Sequence, residues 1–163
     1  MNEPATESAG ATPAPADLVG VWRLVSFHDL GPAGERREGP LGPAPRGLLI
    51  YTADGHVSVS MSRAPDAPRD GTRFMGYAGT WQLTGHQVVH TVAVTPRAGW
   101  ADTRQVRDLQ LAGDRLTLHG TDTGPPVPQR RVLTWQRVRP VQAAASVSFT
   151  DRSRHHERLS ADD

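Results

Sequence analysis

From Gly20 onward apolar and polar residues alternate in short runs broken by Gly, Pro and Asp. A period of two sends successive side chains to opposite faces of an extended chain, so the pattern predicts β-strands throughout. The first run, residues 17–27, is β-branched and aromatic, as suits a half-buried pleated surface. It sets Trp22, Leu24 and Ser26 on one face and Val21, Arg23, Val25 and Phe27 on the other. Residues 47–52 and 56–61 flank Ala53-Asp54-Gly55, and Asp-Gly provides the positive φ that a tight hairpin needs. In this hairpin Leu49 shares a face with Tyr51, and Val57, Val59 and Met61 lie together. A second hairpin, 74–83 with 86–95, turns at Thr84-Gly85. It aligns Tyr77, Gly79, Trp81 and Leu83 on one strand and Val88, His90, Val92 and Val94 on the other. A third, 103–111 with 115–120, turns at Ala112-Gly113-Asp114 and presents Leu109, Leu111, Leu116 and Leu118. The last strand spans 129–138.

Regular hairpins with no long helical stretch predict an all-β fold, an eight-stranded antiparallel up-and-down barrel. The count of eight includes a short segment near Glu35. Trp22 near one end of the chain and Trp135 with Arg137 near the other place the first and last strands side by side, with a cation–π contact bracing the seam. Residues 31–45 are dense in Gly and Pro and are expected as a loop across the barrel's mouth. Residues 62–72, with Arg63, Asp66, Arg69 and Asp70, are expected as a second polar loop whose charges form a solvated face. The barrel is thus one domain, residues 17–139. Residues 1–16 lack periodicity and are expected as a disordered leader. With no basic and apolar signal-peptide pattern there, the expected location is cytoplasmic. Residues 140–163 are expected as a tail, a short helix near 141–149 or disordered, in which His155-His156 binds metal only adventitiously.

Composition narrows the chemistry. The 163-residue chain is 37% hydrophobic with 16 Gly and 14 Pro, which suits many short strands and turns. A net charge of +1 gives no global field for nucleic acid or an anionic membrane. There is no Cys, which excludes disulfides and thiolate chemistry, and no Lys, which excludes a side-chain Schiff base. No nucleophile elbow, phosphate-binding glycine loop or dinucleotide fingerprint occurs.

Three side chains remain as candidate catalytic groups. His90 shares the inward face with Val88, Val92 and Val94, where burial lowers an imidazole's pKa. It either contacts a ligand or is a structural histidine bonded to Tyr77, Trp81 or a neighbouring strand. Arg107 is in register with Gln105, Leu109 and Leu111. It either holds a carboxylate, enolate or phenolate through its guanidinium, or reaches water or braces Asp108 or Asp114. Tyr77 is a third donor, able to polarise a carbonyl. Tyr51, Val59, Met61, Trp81, Val92, Trp100 and Leu109 are the expected walls of a ligand cup. His86 and His90 stand four apart, about 13 Å along a strand at ~3.3 Å per residue, so they do not share one ion and no metal is expected.

Gly20-x-Trp22 with Arg23-Leu24-Val25-Ser26-Phe27, then Gly47-Leu48-Leu49-Ile50-Tyr51-Thr52-x-Asp54-Gly55-His56, resembles the bacterial lipocalin-like domain family. Tyr77-x-Gly79-x-Trp81, Val88-Val89-His90, Pro96 and Trp100, Arg107 with Leu111-x-Gly113-Asp114-x-Leu116, and Trp135-x-Arg137 follow in the family's order. The resemblance spans about residues 18–139 and implies a lipocalin-like barrel with an internal cup for a small hydrophobic ligand or substrate. It also implies two functions that build the same cup. One is a cofactor-free cyclase or isomerase, including a [4+2] cyclase, that templates a polyketide-type intermediate in natural-product biosynthesis. The other is a non-catalytic carrier or sequestering protein. No cofactor, nucleic acid or membrane partner is expected, and a homodimer is left open.

Overall fold

The computed structural model describes residues 11–123 and 127–141. A helical turn, α1 (Pro15–Leu18), precedes nine strand segments: β1 (Gly20–Leu30), β2 (Arg36–Glu38), β3 (Arg46–Tyr51), β4 (His56–Ser62), β5 (Phe74–Thr84), β6 (Gln87–Val94), β7 (Arg104–Ala112), β8 (Arg115–Asp122) and β9 (Gln129–Arg137). All neighbouring pairs are antiparallel, and β1 bonds to β9 as well as to β3, so the sheet closes on itself. The short segment near Glu35 is β2, but it is not a separate stave. β2 pairs with residues 28–30 of β1 and β3 with residues 20–23, so together they make one wall of an eight-walled barrel. Between them the chain turns inward and buries Leu41.

The three hairpins form with their expected turns, and Gly55, Gly85 and Gly113 all have positive φ. These turns, α1 and the end of β9 gather at one end of the barrel. That end is shut. Leu18 and Trp22 are fully buried, and the Trp22 indole N–H donates to the Leu18 carbonyl at 2.9 Å. Arg137, opposite Trp22 across the seam, lies 4.2 Å over its ring and donates to the carbonyls of Val19 (2.9 Å) and Asp17. The seam brace thus also anchors α1. Pro15 and Ala16, expected within a disordered leader, instead begin this turn, because Leu18 has an apolar floor to cover. Residues 1–10 and the tail from 142 on, with His155 and His156, lie outside the described residues.

Two bulges reset the alternation. In β1 the register slips between Leu24 and Ser26, leaving Val25 as the extra residue. Phe27, expected on the face of Val21, therefore points inward and is buried opposite Leu133. In β6 the register passes from Val92 to Val94 against Gly79 and Ala78, with Ala93 as the extra residue. Val94, expected inward with His90, is therefore turned out and is 69% exposed. Gly79 permits this close pairing, since a Cβ there would sit 1.9 Å from the Thr91 carbonyl oxygen. A bulge bends a strand and raises its twist.

Candidate functional site

The opposite end of the barrel is open. It carries the segments joining β4 to β5 and β6 to β7 together with the end of β8 and the start of β9, and below them lies a cavity of about 480 Å³. Phe27, Leu49, Val59, Met61, Leu118 and Leu133 form its apolar wall. All point inward because the period of two, corrected by the β1 bulge, puts them there. Trp135 also lines the cavity, and its buried indole N–H has no acceptor among the described residues.

At the polar side of this wall His90, 1% exposed, is held between two phenols. The Tyr51 hydroxyl lies 2.8 Å from Nε2 and the Tyr77 hydroxyl 2.6 Å from Nδ1. Burial, and secondarily the nearby Arg107 charge, lowers the imidazole pKa to about 3, so the ring is neutral at physiological pH. Burial also raises both tyrosines, Tyr51 well above its ordinary value, with Arg107 acting in the opposite direction. All three groups are therefore uncharged.

Neutrality fixes the direction of the hydrogen bonds. A neutral imidazole donates from one nitrogen and accepts at the other. One tyrosine must therefore give its proton to the ring, while the other receives the ring's proton and keeps its own O–H for another acceptor. Tyr51 is buried and has no other hydrogen-bond partner among the described residues, so leaving its O–H unused would cost about 1–3 kcal/mol. Tyr77 lines the cavity. The favoured arrangement has Tyr51 donating to Nε2, Nδ1–H donating to Tyr77, and the Tyr77 O–H free to serve the cavity. Accepting a bond while donating one strengthens that donor.

Arg107 reaches the same space from β7. Its cross-strand partner is Val88, and Gln105, two residues back on the same face, pairs with His90. Gly120 makes room for it: a Cβ there would lie 2.6 Å from Arg107 Cδ. The guanidinium donates to the Val106 carbonyl at 3.0 Å and to Gln105 Oε1 at 3.3 Å. The carboxylates considered for it are used elsewhere, Asp108 by Gln87 and Asp114 by Arg137. Among the described residues Arg107 has no carboxylate partner.

The rim carries its own ion network. Arg97 forks onto Asp122 at 2.9 and 3.2 Å and lies 4.2 Å over the Trp100 ring, while Trp100 packs on Tyr77 in a tilted arrangement with centroids 6.0 Å apart. Arg131 bridges Asp122 and Asp29, each at 3.3 Å, the second as an ion pair without hydrogen-bond alignment. Burial raises the Asp29 pKa and Arg131 partly offsets it. Arg63, expected on a solvated face, instead ties two rim segments by donating to the carbonyls of Pro40 and Thr72, both at 3.0 Å. Pro40, in the 31–45 connection, contributes to the cavity wall.

Of the expected site residues, Val59, Met61, Tyr77, His90, Trp100 and Arg107 line this cavity together. Tyr51, Trp81, Val92 and Leu109 are buried but do not line it. Tyr51 orients His90 from beneath, and Trp81 packs on Tyr51 at 4.9 Å and donates to the Thr52 carbonyl at 3.1 Å. Sequence reasoning missed Phe27, Asp122, Arg131 and the inward role of Trp135. Phe27 was hidden by the bulge. The others were accessible by extending the alternation, Leu116 and Leu118 to Asp122, and Leu133 to Arg131 and Trp135. Among the described residues no three His, Asp or Glu side chains are placed to hold a metal ion, and no helix is long and apolar enough to cross a membrane.

Several solved structures are similar to this chain. A lipocalin-like protein from Bacteroides uniformis ATCC 8492 shares 15% identity over 75% of this chain and 99% of its own, with a TM-score of 0.47. A protein from Bacteroides eggerthii DSM 20697 shares 13% over 74% and 99%, with a TM-score of 0.44. The fluorescent protein UnaG shares 13% over 77% and 100%, with a TM-score of 0.39. No curated protein matches the sequence. Residues 19–138, the barrel from just before β1 to just after β9, match the lipocalin-like domain family, and the chain belongs to it.

Proposed function

We propose that the barrel binds one small, largely apolar molecule in its interior. The carrying observation is the cavity itself: about 480 Å³, above a shut floor, with largely apolar walls and the polar groups Tyr77, His90 and Arg107 among its lining. Ligand sites combine this volume range with a few placed polar groups that fix orientation. Native mass spectrometry of protein purified from its own host, followed by extraction, tests the reading. The expected result is a retained hydrophobic metabolite at one per chain. Protein that retains nothing and binds no member of a hydrophobic-metabolite panel would refute it.

A second reading is favoured by one observation, the Tyr77 O–H and Arg107 guanidinium bordering the same apolar space. Donors so placed would polarise a carbonyl while the walls hold a flexible chain in a reactive fold, which is how a cofactor-free cyclase or isomerase of a polyketide-type intermediate would work. Incubating the linear precursor of the extracted molecule with the protein separates the two readings. Conversion to a cyclic isomer identifies an enzyme, and unchanged precursor at one bound equivalent identifies a carrier.

A further inference from the structure

We propose that the ligand carries an anionic oxygen head group, a carboxylate, enolate or phenolate, seated between the Arg107 guanidinium and the Tyr77 hydroxyl. The inference rests on the ligand-binding reading above and deepens it to a chemical class.

Charge balance is the first support. Among the described residues three guanidiniums line the cavity itself, Arg97, Arg107 and Arg131. Arg97 is paired with Asp122, and Arg131 lies between Asp122 and Asp29, so two acids answer two bases. Among the described residues Arg107 is left with only neutral partners, a backbone carbonyl and the Gln105 amide. A partly buried guanidinium satisfied by neutral acceptors gains most from a ligand that brings a negative charge, because hydrogen bonds between charged partners are the strong ones.

Donor polarity is the second. In the favoured arrangement of the Tyr51–His90–Tyr77 chain, Tyr77 accepts from the ring and keeps its own proton to give. Arg107 offers only donors. Trp135, on the same cavity wall, adds an N–H with no protein acceptor among the described residues. Tyr77, Arg107 and Trp135 thus ask for acceptors. A neutral alcohol would leave these donors underused, whereas an anionic oxygen answers them with several lone pairs.

Local shape is the third. Gly120 leaves a trough in β8 over which the Arg107 stem lies, fixing the guanidinium beside the cavity. The apolar wall then receives the hydrophobic body of the ligand.

A matched pair of fluorescent probes tests this. Anilinonaphthalenesulfonate and N-phenylnaphthylamine share one aromatic body, and only the first carries an anion. The wild-type protein is expected to bind the sulfonate at least about tenfold more tightly, the scale of one charge-assisted hydrogen bond. Arg107→Gln should erase that preference, and Arg107→Lys should keep most of it. Equal affinities in the wild type, with both probes bound, would overturn the anionic head group and leave the binding cavity standing. A preference that survives Arg107→Gln would place the anion on the rim arginines and overturn the assignment to Arg107. Failure of both probes to bind would refute the cavity reading and this inference with it.

Discussion

Replacing His90 by Gln removes a fully buried imidazole while keeping a donor and an acceptor between the two phenols. The consequence to measure is the pH dependence of stability. Free histidine titrates at 6.5, whereas His90 in the barrel is held down to about 3, first by burial and then by Arg107. Above pH 6.5 both the folded and the unfolded imidazole are neutral, so the group adds no slope. As pH falls below 6.5 the unfolded chain takes up a proton that the folded chain refuses, and stability is lost at about 1.4 kcal/mol per pH unit. The loss continues down to the folded pKa of about 3. Between pH 6.5 and about pH 5 it amounts to roughly 2 kcal/mol. Urea unfolding followed by tryptophan fluorescence at about pH 7 and about pH 5 provides the numbers. The wild type should lose roughly 2 kcal/mol more than His90→Gln between those conditions. Asp29, raised by burial, and His28, lowered by burial and Arg36, titrate in both proteins and cancel in the difference. Any constant cost of fitting the amide between Tyr51 and Tyr77 changes the level and not the slope. Parallel pH profiles would refute the reasoning, since they would mean that His90 takes up protons in the folded barrel as readily as in the unfolded chain.

Two further predictions concern the frame that carries this site. Trp22→Ala should cost about 3–5 kcal/mol in the same unfolding assay, because the indole is fully buried, bonded to the Leu18 carbonyl and capped by Arg137; a loss below about 1 kcal/mol would refute the closed-floor description. Gly79→Ala should cost about 2–3 kcal/mol or prevent folding, since the new Cβ meets the backbone at the β6 bulge, and a melting temperature equal to wild type would show that the bulge is not constrained there.

The alternation of residue types, with Gly at the turns, was enough to specify strands, hairpins and their facing. Period-two geometry is local, and Asp54-Gly55, Thr84-Gly85 and Gly113 satisfy turn conformations that need positive φ. Closure was also legible, because Trp22, Trp135 and Arg137 had no reason to sit at the ends of separate strands unless those strands met. His90, Arg107 and Tyr77 were readable as inward groups for the same reason. Tertiary structure alone decided the rest. An extra residue in a strand has no compositional mark, so the bulges at Val25 and Ala93, and with them the inward Phe27 and outward Val94, arise only when two strands must curve past each other. The partner of His90 on β3, Tyr51, is brought to it across the barrel rather than along a strand, and the free proton on Tyr77 follows from which of the two phenols is sealed from the cavity. The ion pairs of Asp122 and Arg131, which among the described residues leave Arg107 without a carboxylate, depend on distances between three strands and a rim segment. Local periodicity fixes the direction in which a side chain points, whereas what it meets there depends on how the sheet closes.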